Sequence, residues 1–166
     1  YGLTDAGNWN TTPTFNSSSV LNFPSSTGQI TIVGGFNSTT TLNKMVFSSG
    51  NGWRFNSGLS TLNFAGTDPT IDVQSGYVRL EFKPQSSAGI TKTGSGQVQA
   101  NFQSVSEGFT GDLTISEGSW RGLNNYGLAD QKTVNILSGA SLDMSSVSFG
   151  ANGIITNSSS YAARGY

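Results

Sequence analysis

The sequence predicts an all-β protein, a right-handed parallel β-helix or solenoid with short coils, and three observations support this. Only 34% of the 166 residues are hydrophobic and 10% are charged, so small polar residues and 22 glycines fill much of the chain. Apolar and polar residues alternate with period two in short runs, which indicates strands with one buried face. Glycines follow these runs at intervals that approach twenty residues, a spacing typical of stacked repeats. We expect one domain over residues 1–166.

The alternating runs are the predicted strands. The clearest of them lie at residues 30–32, 62–64, 78–82 and 98–102. In each run every second side chain is apolar, so a strand would bury one face and expose the other. No stretch keeps the i, i+3, i+4, i+7 spacing of apolar residues over a helical length, and helices are therefore not expected.

A weak internal repeat follows the pattern apolar, any, apolar, any, any, glycine. It ends at Gly35, Gly50, Gly76, Gly118 and Gly139. The last three glycines are 42 and 21 residues apart, which fits two coils and then one coil. Glycine suits a sharp corner between strands because it adopts positive φ without steric cost. The alternative is a β-sandwich or jelly roll, whose hairpins also produce strand–turn–glycine patterns.

Composition excludes several classes of function. The net charge is −1 and the eight lysines and arginines are scattered, so the basic stripe of a nucleic-acid-binding protein is missing. No apolar run is long enough for a membrane-spanning helix. The chain has neither histidine nor cysteine, which excludes a Ser-His-Asp triad, a thiolate nucleophile and zinc sites built from those ligands. We predict no catalytic residues, no cofactor and no metal.

Paired carboxylates are the remaining route to catalysis. Asp72 lies between Ile71 and Val73, and Glu81 lies between Leu80 and Phe82, so both acids are expected on outward faces. Two such acids in stacked coils could form a glycosidase pair. The alternative is a sparse set of solvated acids that discourage aggregation. We favour the second interpretation and predict that the chain is not an enzyme.

Three tryptophans invite a sugar-binding interpretation. They are Trp9, Trp53 and Trp120. An exposed flat ring on a solenoid face could stack on a pyranose, whereas a buried ring would fill the core. Trp53 alternates with Phe55, and Trp120 takes the apolar position two residues after Gly118, so the core is the stronger expectation for both.

The two ends of the sequence fit the repeat poorly. We predict capping or subunit-contact segments at residues 1–22 and 157–166, because a solenoid end exposes unpaired backbone groups. The sequence starts at Tyr1 instead of methionine, and we interpret it as a processed subunit or a segment of a longer polypeptide. Without dedicated caps the ends would join another copy, which predicts a homo-oligomer or filament.

The most specific pattern starts at Ile90. Its first half has Lys92, Gly94, Gly96, Val98 and Ala100, and its second half has Phe109, Gly111, Leu113, Ile115, Gly118 and Trp120. This pattern resembles the autotransporter-associated β-strand repeat of bacterial surface proteins. The opening Gly7-Asn8-Trp9-Asn10 is similar to the start of proteins that carry such repeats. The resemblance implies a right-handed β-helix in an exported passenger scaffold, with no shared catalytic residues.

Together these observations predict an extracellular, non-catalytic structural or adhesive protein of the cell surface. It would be a secreted filament or sheath component or a passenger segment, with self-association and surface glycans as its expected interactions. Two alternatives stay open. One is a phage virion fibre or decoration protein, which shares low charge and a β-rich composition. The other is a polysaccharide-acting β-helix enzyme that uses Asp72 and Glu81.

Overall fold

Every regular element in the described part of the chain is a β-strand. The computed structural model describes residues 14–25, 28–33, 39–102, 109–124, 127–128, 133–144 and 154–157. The strands are β1 (Val20–Phe23), β2 (Thr31–Val33), β3 (Thr39–Leu42), β4 (Lys44–Phe47), β5 (Gly50–Phe64), β6 (Thr70–Val73), β7 (Gly76–Gln85), β8 (Ile90–Thr93), β9 (Gln97–Ala100), β10 (Leu113–Ile115), β11 (Ser119–Gly122), β12 (Thr133–Ile136), β13 (Ser141–Asp143) and β14 (Ile154–Asn157).

The strands form two long parallel sheets that the chain visits in alternation. Sheet A has the order β1-β4-β6-β8-β10-β12-β14, and sheet B has the order β13-β11-β9-β7-β5-β2. All strand pairings in the described residues are parallel. A sandwich built from hairpins would pair its strands antiparallel. The predicted β-solenoid is therefore confirmed, and the sandwich alternative is excluded. Its right hand stays a prediction from the strong preference of parallel crossovers.

The coils differ in length along the solenoid. Thr70 pairs with Thr91, and Thr133 pairs with Ile154, so both of these coils contain 21 residues. Lys44 pairs with Thr70, which makes the earlier coil 26 residues long. Most of its extra length lies in two register shifts of β5 against β7, between Asn51 and Trp53 and between Asn56 and Thr61. These bulges explain why Gly50 and Gly76 are 26 residues apart instead of 21.

A third ladder accompanies the first coils and was not predicted. The strand β3 pairs with the second half of β5, where Thr40 lies opposite Leu62. That half of β5 pairs in turn with the end of β7, where Leu62 lies opposite Pro84. Ser86 then forms an isolated parallel bridge to Phe109. The third ladder therefore continues sheet B beyond the register shift between Asn56 and Thr61, and β5 and β7 each contribute to two stretches of pairing.

The core runs along the axis between the sheets. Side chains of equivalent positions stack coil upon coil, and most of the large inward ones have no exposed surface. One row contains Phe64, Phe82, Phe102 and Trp120, with ring centroids 5.8–6.4 Å apart. In a second group, Phe23 stacks on Phe47 at 4.6 Å. Close aromatic packing of this kind adds stabilisation beyond the burial of apolar area.

The predicted corner glycines behave largely as expected. Gly76, Gly118 and Gly139 have φ of 66°, 63° and 84°. Gly50 opens β5 opposite Gly76, and Gly35 lies outside the described residues. The reason for glycine is clearest at Gly118, where a Cβ atom would collide with the carbonyl oxygens of the preceding coil. A side chain at this position would therefore force the two coils to shift apart.

The predicted end segments are covered only in part. Strand β1 starts at Val20, so the end of the predicted segment 1–22 belongs to sheet A. The predicted segment 157–166 shares only Asn157 with the described residues, as the end of β14. Among the described residues we find no helix with the length and apolar character needed to cross a membrane.

Candidate functional site

The outward face of sheet B carries a column of arginines. Strand register aligns Arg54 with Arg79, then Arg79 with Gln99, and Gln99 with Arg121. Arg121 in turn lies opposite Asp143. Neighbouring strands in a sheet are ~4.8 Å apart, so the column repeats with the coil spacing. Each arginine follows an inward apolar residue (Trp53, Val78 and Trp120) and therefore points away from the core.

Two of these arginines converge on one buried carboxylate. Glu81 has a side chain only 2% exposed, whereas the side chains of Arg54 and Arg79 are 34% and 36% exposed. Arg54 donates from Nε to Oε2 of Glu81 at 2.7 Å and from Nη2 to Oε1 at 3.2 Å. The Nε atom of Arg79 forms an ion pair with Oε1 at 2.8 Å. We name Arg54, Arg79, Glu81 and Asn101 the Glu81 cluster.

The burial of Glu81 follows from the side chains that cover it. The inward positions of β7 keep their alternation through Leu80, Phe82 and Pro84, and Glu81 is buried on the outward side of the same strand. Glu81 thus points away from the core and yet lies beneath the arginine side chains. The expectation of a solvated acid is wrong for this residue.

Glu81 is stabilised in its charged form. Burial pushes the pKa of this carboxyl up, but hydrogen bonds from Arg54 and Asn101, together with the charge of Arg79, outweigh burial and lower the pKa. The same hydrogen bond to Glu81 raises the pKa of Arg54. The cluster holds two guanidinium groups and one carboxylate, so it has a net charge of one positive unit at neutral pH.

An amide ladder extends the cluster toward later coils. Asn101 donates from Nδ2 to Oε1 of Glu81 at 2.8 Å. Asn124, one coil further on, donates to Oδ1 of Asn101 at 3.1 Å and to the carbonyl of Phe102 at 2.8 Å. These contacts fix Glu81 from a third side and connect three coils through side chains.

A second buried charge lies at the corner between sheets A and B. Lys92 has no exposed surface and stands in an inward column between Ile71 and Ile115. Its Nζ donates to the carbonyls of Thr93 and Gly94, each at 2.7 Å, and to that of Glu117 at 3.2 Å. We call this arrangement the Lys92 corner. Burial lowers the pKa of Lys92 to about 8, although the charges of Asp72 and Glu117 oppose the shift.

Two of the three tryptophans are core residues. Trp53 is 7% exposed and Trp120 is 1% exposed, and the indole Nε1 of Trp120 donates to the carbonyl of Gly127 at 3.0 Å. Neither ring presents a face to solvent, so neither one can stack on a sugar. Trp9 lies outside the described residues.

The two candidate catalytic acids do not come together. Asp72 belongs to β6 in sheet A, and Glu81 belongs to β7 in sheet B. Glu81 is also occupied by Arg54, Arg79 and Asn101. A general acid needs a raised pKa to hold its proton near neutral pH, whereas the pKa of Glu81 is lowered. These two acids therefore do not form the glycosidase pair. Across the part of the chain that the structure describes, no cluster of acidic residues could hold a metal ion.

The arginine column and the Lys92 corner were not identified as sites from the sequence. A signal for the column exists, since an arginine directly follows an inward apolar residue in β5, β7 and β11. A signal for the corner is the run Ile90-Thr91-Lys92-Thr93-Gly94, in which lysine takes the second apolar position of the repeat. Both signals require the strand register, because single strands do not show which residues become neighbours.

The fold and these sites define the chain as a β-solenoid with one polar, arginine-bearing face. Comparisons with protein-family models, with curated proteins and with solved structures found no match for this chain.

Proposed function

We propose that this chain is a non-catalytic β-solenoid scaffold of the cell surface, an adhesive or structural element that associates with further copies of itself. The observation that carries the proposal is the pair of seven-stranded parallel sheets, the second of which includes β3, around one continuous core. Every internal coil is held by hydrogen bonds to the coil before it and the coil after it. Such an array is quasi-one-dimensional and extends simply by adding coils.

The chemistry of the surface supports an exposed structural role. The outward positions of the sheets are mostly threonine, serine, asparagine and glutamine, with few charges, and these residues hydrate a surface without strong repulsion between neighbouring molecules. The resemblance of the segment from Ile90 to Trp120 to the autotransporter-associated repeat supports export to the outside of a bacterium. We therefore propose an extracellular location.

Self-association is proposed from the nature of a parallel ladder. A terminal strand has outer N–H and C=O groups that need a partner, and either another coil of a longer polypeptide or a second copy can supply one. Val20 lies on β1, which forms one end of sheet A in the described residues, and it is 48% exposed. This apolar side chain on a terminal strand is consistent with a contact between copies.

Negative-stain imaging combined with native mass measurement tests the proposal. We expect fibres, sheets or discrete oligomers that dissociate on dilution. The variant Val20→Lys should weaken association because a lysine on a terminal strand discourages pairing. Leu137→Lys is the matched control: Leu137 is 38% exposed but follows the internal strand β12. Monomers at every concentration would contradict the self-association, and particles with capsid symmetry would favour the virion alternative.

A further inference from the structure

We propose that the outward face of sheet B binds a linear acidic polysaccharide, and that the arginines of the Glu81 cluster are its carboxylate-binding residues. This inference rests on the proposed surface role but not on self-association. The partner is a glycan with uronic acid residues, which carry carboxylates and hydroxyl groups at regular intervals.

The Glu81 cluster has an excess of positive charge, and its arginines are held in place by Glu81. One guanidinium is sufficient to neutralise Glu81, yet two arginines converge on it. The additional charge remains on a surface where both arginine side chains are about one-third exposed. Arginine binds carboxylates through paired N–H groups in a fixed plane, and a guanidinium that is already held in place loses less entropy on binding. Glu81 is a positioning residue in this arrangement.

Polar groups repeat along the solenoid axis on the outward face of sheet B. Gln99 and Arg121 continue the column beyond Arg79 at the coil spacing of ~4.8 Å. Gln99 is held by a hydrogen bond of 2.9 Å from its Nε2 to Oε1 of Gln97. A partner with a regular repeat matches a surface with a regular repeat, and amide groups suit the hydroxyl groups of sugars.

A partly exposed aromatic residue lies beside the arginines. Tyr77 is 39% exposed and lies two residues before Arg79, on the same face of β7. A Cβ atom at Gly52 would lie 3.2 Å from the Tyr77 hydroxyl, so the ring extends over this glycine of the preceding coil. A partly exposed tyrosine offers apolar ring surface for a pyranose and a hydroxyl for hydrogen bonding. Glycine at position 52 provides the space.

The distribution of charge favours a glycan over a nucleic acid. The whole chain has a net charge of −1, so the long-range attraction that nucleic-acid binding requires is missing. Four of the described acids, Asp68, Asp72, Asp112 and Glu117, lie on sheet A or in the turns beside its strands. The positive column is thus confined to one face, which suits a short-range contact with a polymer that lies along that face.

Calorimetric titration of the monodisperse protein with a defined-length oligogalacturonate tests the proposal. We expect saturable binding that weakens as salt rises, because partly exposed charges are screened. The fully methyl-esterified oligomer has the same sugars without charge and should not bind detectably. Poly-L-glutamate supplies carboxylates without sugars and should bind at least about tenfold more weakly, since it lacks the hydroxyl and ring contacts.

Variants locate the site. The triple variant Arg54→Gln/Arg79→Gln/Glu81→Gln removes the cluster charges together and leaves no buried charge without a partner, and it should lose about tenfold or more in affinity. Arg121→Gln and Tyr77→Ser should each lose a few-fold, and they carry the test if the triple variant does not fold. Lys44→Gln removes one positive charge from β4 in sheet A and should change affinity by less than about twofold.

Three results would overturn the proposal. The first is no binding of oligogalacturonate by the wild-type protein. The second is equal binding of poly-L-glutamate, which would indicate an acidic peptide as the partner. The third is an equal loss in Lys44→Gln and the sheet B variants, which would indicate diffuse electrostatics. Imaging decides the self-associating scaffold separately, so either proposal can fail alone.

Discussion

Glu81 and Lys92 are buried charges in successive coils, and the protein accommodates them in opposite ways. Glu81 is surrounded by two cationic side chains and one amide on the outside of sheet B. Lys92 lies inside the corner and is surrounded by three neutral carbonyl groups. The pKa of each residue is lowered. For the acid this means that the charged form is favoured, and for the lysine it means that the charged form is disfavoured.

The difference shows what compensates for the loss of hydration around a buried charge. Opposite charges at hydrogen-bonding distance more than offset burial at Glu81, whereas the charges of Asp72 and Glu117 offset only part of it at Lys92. The Glu81 cluster is therefore built to keep its charges, and the Lys92 corner keeps its charge only below about pH 8.

Removal of the two arginines that neutralise Glu81 should have the largest effect on stability. The double variant Arg54→Gln/Arg79→Gln leaves a buried carboxylate without a cation, and we expect it to lose about 3–5 kcal/mol of unfolding free energy at pH 7. Urea denaturation measures the loss. Adding Glu81→Gln should restore most of it, and a triple variant as unstable as the double one would show that burial of the carboxylate is not the cause.

The same double variant should reverse the pH dependence. In the wild type the lowered pKa of Glu81 contributes stability that is present above the ordinary carboxyl value of ~4.3 and is lost as pH falls through the folded pKa. In the double variant only the hydrogen bond from Asn101 opposes burial, and burial is the larger effect, so the folded pKa rises above the ordinary carboxyl value. Stability is then lost as pH increases from the ordinary carboxyl value toward the raised folded pKa. Thermal unfolding between acid and neutral pH distinguishes the two slopes.

Rigidity of the Lys92 corner can be tested at Gly118. We expect Gly118→Ala to cost about 2–3 kcal/mol, because its φ of 63° disfavours a side chain and the new methyl group would collide with carbonyls of the preceding coil. Gly139→Ala is the matched control, with φ of 84° and no atom of the described residues within 4 Å of the new Cβ, and it should cost about 1 kcal/mol. Equal losses of unfolding free energy would show that the Lys92 corner shifts to accommodate the new methyl group.

Replacing the buried lysine by an apolar residue should have a smaller effect. Lys92→Met suits the column of Ile71 and Ile115 but leaves carbonyls at the corner without their donor, and we expect a loss of about 1–2 kcal/mol at pH 7. The lowered pKa means that the folded state releases its proton before the unfolded one. Wild-type stability should therefore rise relative to the variant from about pH 8 to 10.5. A pH-independent difference would contradict the assignment.

The exposed ion pair between Arg121 and Asp143 should contribute least to stability. Arg121 and Asp143 lie 3.1 Å apart at 41% and 43% exposure. We expect Arg121→Gln to change unfolding free energy by less than about 0.5 kcal/mol, since exposed pairs are solvated in both states. The thermal midpoint of this variant should match that of the wild type. A loss of unfolding free energy comparable to that of the double arginine variant would show that the exposed pair stabilises the protein as much as the buried cluster does.

Much of the fold follows from local patterns. Alternation identified the strands at Leu62–Phe64 and Val78–Phe82, and the repeat placed two coils between Gly76 and Gly118, as the pairing of Tyr77 with Gln97 and of Gln97 with Ser119 confirms. The third ladder was not predictable, because it depends on the register shift between Asn56 and Thr61, where β5 holds three more residues than β7. A period-two pattern contains no information about such a shift.

The candidate site was much less predictable. Outward residues such as Arg54 and Arg79 are 25 positions apart in sequence, and only the register of β5 against β7 makes them neighbours. The burial of Glu81 depends on the same register, since its cover comes from an adjacent coil. Lys92 was recognised only as part of a resemblance, because a lysine between two threonines has the appearance of a solvent-facing strand.

The two bulges of β5 show that residues can be added to one coil while the neighbouring strands keep their alignment. The number of residues in one coil can thus change while the other coils keep theirs. A coil can therefore accept additional residues at a bulge without any change to the axis that supports it.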